Sequence, residues 1–130
     1  MNDRYLYRAK RMDNGIFIEG LLTIMWGQFH IINPDDENTA YPIDESTICQ
    51  CTGLKDKNGK LIWENDICDR KEQFPEIVRY HGGDWTLDYS FAYKKEYGFN
   101  FCNLGFYVTE RNCVEVIGNI FDNPELLEQK

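Results

Sequence analysis

The sequence predicts a mainly β fold with minor α content: a small barrel or strongly bent antiparallel sheet carrying a short C-terminal helix. Three observations predict it. Short apolar runs recur along the chain and are separated by Gly- and Asn-containing turns. One run alternates cleanly, with Trp85, Leu87, Tyr89, Phe91 and Tyr93 on one face and Asp84, Thr86, Asp88 and Ser90 on the other. The clearest helix-start signal comes at the very end of the chain.

Taken in order, Tyr5, Leu6 and Tyr7 open a first strand. Asp13-Asn14-Gly15 then turns the chain into IFIEGLL, and Asn-Gly suits a type I′ hairpin, which needs positive φ at both central residues. Gln28 to Ile32 is the next strand. NPDDENTAYPIDES, residues 33–46, is polar, holds two prolines and has no helical stripe, so it reads as a long mobile loop. Thr47 to Cys51 resumes strand character, and Lys55 to Lys60 contains a second Asn-Gly turn. In LIWENDICD, apolar residues flank Glu64-Asn65-Asp66, which reads as a turn or bulge inside the run. Glu76 to His81, Gly82-Gly83 and Asp84 to Tyr93 form a third hairpin. GFYVT and CVEVIGNI supply two further strands. In DNPELLEQK, Asn123 caps a short helix, Pro124 takes its first position and Leu126 and Leu127 dock. All of this fits a single domain over residues 1–130.

Composition narrows the function. With 22 acidic and 14 basic residues the net charge is −8, which repels phosphate and makes nucleic acid a poor partner. No apolar run reaches the ~20 residues of a membrane span. The opening MNDRYLYRAK is charged and lacks the apolar core of a signal peptide, so a cytoplasmic protein without membrane contact is expected. The five cysteines, Cys49, Cys51, Cys68, Cys102 and Cys113, are odd in number and lack zinc-ribbon spacing. They are expected to be reduced and to pack as small hydrophobes.

Two blocks carry a family resemblance. QCTGLKDKNGKLIWENDIC, Gln50 to Cys68, and VEVIGNIFDNPELL, Val114 to Leu127, resemble the YopX family of bacteriophage and prophage proteins, with a weaker echo in YRAK near the N-terminus. Cys51 stands where the family pattern has an aromatic, Trp63 where Tyr is commoner, and Asn65 where Gly is usual. Asn is the next-best residue for a left-handed backbone, so the last change agrees with a turn at that point. The resemblance implies a mainly β fold, a phage or prophage origin in a bacterial host, and self-association. It implies no activity.

Candidate sites follow from these blocks. Gly53, Asp56, Asn58, Gly59, Trp63, Asn65 and Asp66 are expected to form a structural turn motif that directs Trp63 and Ile67 inward. Gly118, Asn119, Asn123 and Pro124 form a C-terminal motif. Asp56, Glu64, Asp66 and Asp69 have the chemistry of a divalent-cation cluster, but their positions in turns favour local hydrogen bonds made by water-facing acidic turns. His30 and His81 have no cysteine close in sequence to activate, and no nucleophile-elbow, phosphate-loop or zinc-protease motif is present. No catalytic residue, cofactor or metal is expected. Tyr89, Phe91, Tyr93, Tyr97 and Phe99 are more aromatics than a small sheet buries, and form a candidate interface. The expectation is a non-enzymatic homo-oligomer that recognises a phage or host protein; the alternative is a small β-barrel nucleic-acid-binding module.

Overall fold

The structure is a computed structural model that describes residues 3–90 and 101–128. The chain forms two compact units, Met1–Gly53 and Leu54–Lys130. Eleven strands are present among the described residues: β1 (Tyr7–Lys10), β2 (Phe17–Met25), β3 (Gln28–Ile32), β4 (Ala40–Pro42), β5 (Cys49–Lys55), β6 (Leu61–Trp63), β7 (Asp66–Asp69), β8 (Glu76–His81), β9 (Asp84–Asp88), β10 (Phe101–Asn103) and β11 (Glu115–Asn119). A single α-helix, α1 (Leu104–Thr109), accompanies them. The fold is mainly β, built on antiparallel sheets that are strongly bent and do not close into a barrel.

In the first unit the strand order is β4-β3-β2-β1-β5. The inward faces of these strands bury Ala9, Ile31 and Ile43, with Tyr7, Ile18, Leu22, Phe29 and Ile48 packed around them. The Arg11–Ile43 bridge and the bond from Asp44 N to Lys10 O draw the end of β4 toward the end of β1 and bend the sheet. Strand β4 lies inside the segment read as loop. Its Pro42 removes a donor, which an outer strand tolerates, and the neighbouring Ile43 is fully buried. Asp44 then caps a 3-10 turn, Glu45–Thr47, by accepting from Ser46 N.

In the second unit the order is β10-β9-β8-β7-β11. Its core consists of Ile62, Cys68, Val78, Leu87, Leu104 and Val114. The GFYVT segment, read as strand, is helical. Asn103 Oδ1 accepts from Phe106 N at 2.7 Å, and Leu104, Tyr107 and Val108, spaced as i, i+3 and i+4, meet the core on one helical face. The C-terminal helix is a 3-10 turn, Pro124–Leu127, rather than an α-helix. Asn123 makes no capping bond there because its side chain is engaged elsewhere. Leu126 and Leu127 are half-buried.

The turn chemistry also departs from expectation. Gly15 and Gly59 have positive φ, +70° and +83°, but Asn14 and Asn58 do not, so neither Asn-Gly turn is type I′. At residues 56–60, Gly59 N donates to Asp56 O and Asp56 N to Lys60 O. This is a three-residue loop with Gly59 in the left-handed position. Positive φ at both central residues occurs instead at Gly82-Gly83, as the two glycines suggest, and at Trp26-Gly27, which joins β2 to β3.

Candidate functional site

Residues 54–69 build a folded motif around two buried carboxylates. Asp56 Oδ1 accepts from Asn58 N and Lys60 N, both at 2.9 Å, and closes the β5–β6 turn. Its Oδ2 accepts from Val116 N at 2.9 Å, sixty residues away in sequence. Burial opposes the charge, but the three N–H bonds from Val116, Lys60 and Asn58 outweigh it and hold the carboxyl below its ordinary range. Asp66 is 1% exposed and its Oδ2 accepts from Trp63 N at 2.8 Å. The two acids are therefore buried, which corrects the expectation of acidic turns facing water. Each carboxylate faces backbone donors that the tight turns leave without a ladder partner.

Asn65 is the turn residue between them, with φ +70°. Its N donates to Val78 O and its O accepts from Ile120 N. Its side chain is also used, because Arg79 Nη1 donates to Asn65 Oδ1 at 2.8 Å. Trp63 and Ile67 are buried, as expected. Gly53 ends the first unit with φ +79°.

The second sequence block folds onto the first. Strand β11 pairs with β7, with a bulge between Val116 and Gly118. Lys57 N donates to Val114 O, and the Lys57 ammonium lies 3.3 Å from the Glu115 carboxylate. Asn119 Oδ1 accepts from Phe121 N and Asp122 N, while Asn119 N donates to Asn123 Oδ1. A Cβ on Gly118 would stand 2.6 Å from Asn123 Oδ1, so this position requires glycine for space. Gly118, Asn119, Asn123 and Pro124 thus make one tight bend held by amide side chains.

A second buried cluster escaped the sequence reading. Glu76 is fully buried and its Oε1 lies 2.6 Å from Arg70 Nε. Arg70 also bonds Glu72 and stacks over the Tyr107 ring, 4.5 Å from its centroid. Burial raises the Glu76 carboxyl above its ordinary value against the pull of Arg70. Burial likewise pushes the Cys102 thiol up to about 11 and raises those of Cys51 and Cys68. A raised thiol is a poor nucleophile. Cys49, Cys51 and Cys68 are buried and Cys102 and Cys113 half-buried, all as free thiols. His81 Nε2 lies 2.8 Å from Asp88 Oδ2, and its ring stacks on Phe101. Among the described residues no three His, Cys, Asp or Glu side chains are placed to hold one metal ion. The Arg70–Glu76 pair left no signal in the sequence, because five residues separate partners that only the strand β8 geometry brings together.

Surface features among the described residues include two depressions and one projecting side chain. In the first unit a cavity of about 410 Å³ is lined by Lys10, Arg11, Met12, Gly15, Gln28, Ile43, Asp44 and Glu45. Arg11 is already engaged there by Asp13 and the Tyr41 ring. In the second unit a cavity of about 280 Å³ lies among Asp69, Glu72, Gln73, Phe74, Pro75, Ile117 and Leu126. The projection is Trp26, which has φ +51° and is 96% exposed. A bulky residue in the left-handed region costs about 1–2 kcal/mol, and no packing offsets it here. Ile24, on the same hairpin, is 59% exposed. The aromatic interface expected from sequence is only partly within view. Tyr89 is half-buried against Phe74, with ring centroids 5.6 Å apart, while Phe91, Tyr93, Tyr97 and Phe99 lie outside the described residues. No helix among the described residues is long and apolar enough to cross a membrane.

Comparison with known proteins agrees with the fold. The family model described as YopX protein matches residues 11–128. Among solved structures, the chain is similar to the protein yopX from Bacillus subtilis. The TM-score is 0.56 and the identity 20%, over 98% of this chain and 100% of that one. No curated protein matches.

Proposed function

The chain belongs to the YopX family, and we propose that it is a non-enzymatic phage or prophage accessory protein that self-associates and binds protein in the bacterial cytoplasm. The observation that carries this reading is the contrast between interior and surface. Inside, the ionisable groups Asp56, Asp66, Arg70 and Glu76 are occupied with backbone donors or with one another. The three thiols whose titration is displaced are displaced away from reactivity. Outside, the first unit exposes Tyr5, Met12, Ile16, Leu21, Ile24 and Trp26. We read these exposed apolar side chains, Ile24 and Trp26 of the β2–β3 hairpin foremost, as the interaction surface.

The net charge of −8 favours a protein partner over a nucleic acid. Sedimentation or light scattering at micromolar concentration tests the self-association. A mass above 15.4 kDa that rises with concentration is expected, and a constant monomer mass refutes it. Binding of duplex DNA, single-stranded DNA and RNA at low salt tests the alternative, a small nucleic-acid-binding β module. Weak binding is expected, and tight binding that salt abolishes would replace the present reading.

A further inference from the structure

We infer that self-association, as proposed above, is made by Trp26 of one copy entering the Phe74–Pro75–Ile117–Leu126 cavity of a second copy. The inference rests on that reading and adds the contact. Trp26 occupies a two-residue type I′ turn where Gly or Asn is the unstrained choice. It gains no burial in the single chain, being 96% exposed. The turn therefore presents an exposed indole at the end of the β2–β3 hairpin. From Gly20 to Phe29 this hairpin carries no charged residue, so the hairpin itself brings no charge into an interface.

The receiving cavity matches in size and chemistry. At about 280 Å³ it lies below the roughly 300–1,000 Å³ of small-molecule clefts and suits one bulky side chain. Phe74, Pro75, Ile117 and Leu126 supply apolar walls, and the β11 bulge leaves Ile117 partly exposed at the opening. Asp69, Glu72 and Gln73 supply oxygen acceptors. A buried indole needs one for its N–H, and an oxygen of Asp69, Glu72 or Gln73 serves it. Trp is also the residue type most enriched at interface hot spots. Projection and cavity are different patches, so every copy carries both halves of the contact.

The test uses the full chain and two variants. Trp26→Gly removes the indole and suits the left-handed turn, so folding is not put at risk. Ile117→Glu places a charge at the cavity mouth on a partly exposed bulge. Masses are measured by light scattering from about 1 to 100 µM, with circular dichroism confirming the fold. Each variant alone is expected to weaken association by roughly thirty-fold or more. Mixed one to one, the variants retain one intact contact, between Trp26 of one and the open cavity of the other, and are expected to restore a two-chain mass. If the wild type associates and Trp26→Gly associates equally well, this contact is wrong while self-association stands. A mixture that stays monomeric also overturns it. A wild type that remains monomeric at the highest concentration overturns both readings.

Discussion

Replacing Asp56 by Ala removes one side chain that serves three backbone donors. Two of them, Asn58 N and Lys60 N, belong to exposed residues of the turn, where water takes over at small cost. The third, Val116 N, is part-buried on β11 and loses this charged partner. A buried donor left unpaired costs about 1–3 kcal/mol, and a charge-assisted bond contributes at the upper end of that range. Adding the loosened turn, the expected loss is about 3 kcal/mol, or roughly 10 °C in melting temperature for a chain of this size. Thermal and urea unfolding followed by circular dichroism measure it. The wild-type advantage has a pH signature. Because the folded carboxyl titrates below its ordinary value, the stabilisation is fully present above the unfolded pKa of about 4 and is lost as pH falls through the folded one. The gap between wild type and variant therefore closes in acid. Unfolding within about 0.5 kcal/mol of wild type at pH 7, or a gap that widens in acid, refutes the keystone role of Asp56.

Three further outcomes follow from the same geometry. Gly118→Ala drives a Cβ against Asn123 Oδ1 and is expected to cost about 1–3 kcal/mol as the Asn119–Asn123 bond is displaced; unchanged unfolding contradicts the crowding. At Gly59 an added Cβ meets no neighbouring atom and φ is +83°, so Gly59→Val is expected to cost about 1–3 kcal/mol in equilibrium unfolding, chiefly as backbone strain, and Gly59→Asn is expected to recover most of it. Glu76→Gln leaves the Arg70 charge without its buried partner and is expected to cost about 3–5 kcal/mol; denaturant unfolding at pH 7 measures it, and a neutral result shows that Glu72 suffices for Arg70.

What could be read along the chain was local backbone demand. Asn65 and Gly59 sit at positive φ where the turn residues placed them, because few residue types tolerate that conformation and their choice is visible one position at a time. Burial of Trp63 and Ile67 follows from the same local geometry. The Asn-Gly turns show the limit. The dipeptide announces a turn, but the strand pairing on either side selects its type, and at Asp56 a side-chain acceptor holds a three-residue loop. GFYVT carries β-favouring residues, yet becomes a helix because Asn103 caps it and Leu104, Tyr107 and Val108 meet the core on one helical face. Tertiary structure alone decided that the two sequence blocks are one object. Asp56 meets Val116 and Asn65 meets Ile120 across separations that no local pattern encodes. Tertiary structure likewise decided that Trp26, an ordinary core residue by composition, stands in water at a strained turn. Propensity and spacing act over a few residues, whereas burial and hydrogen-bond satisfaction are settled only when distant strands pair.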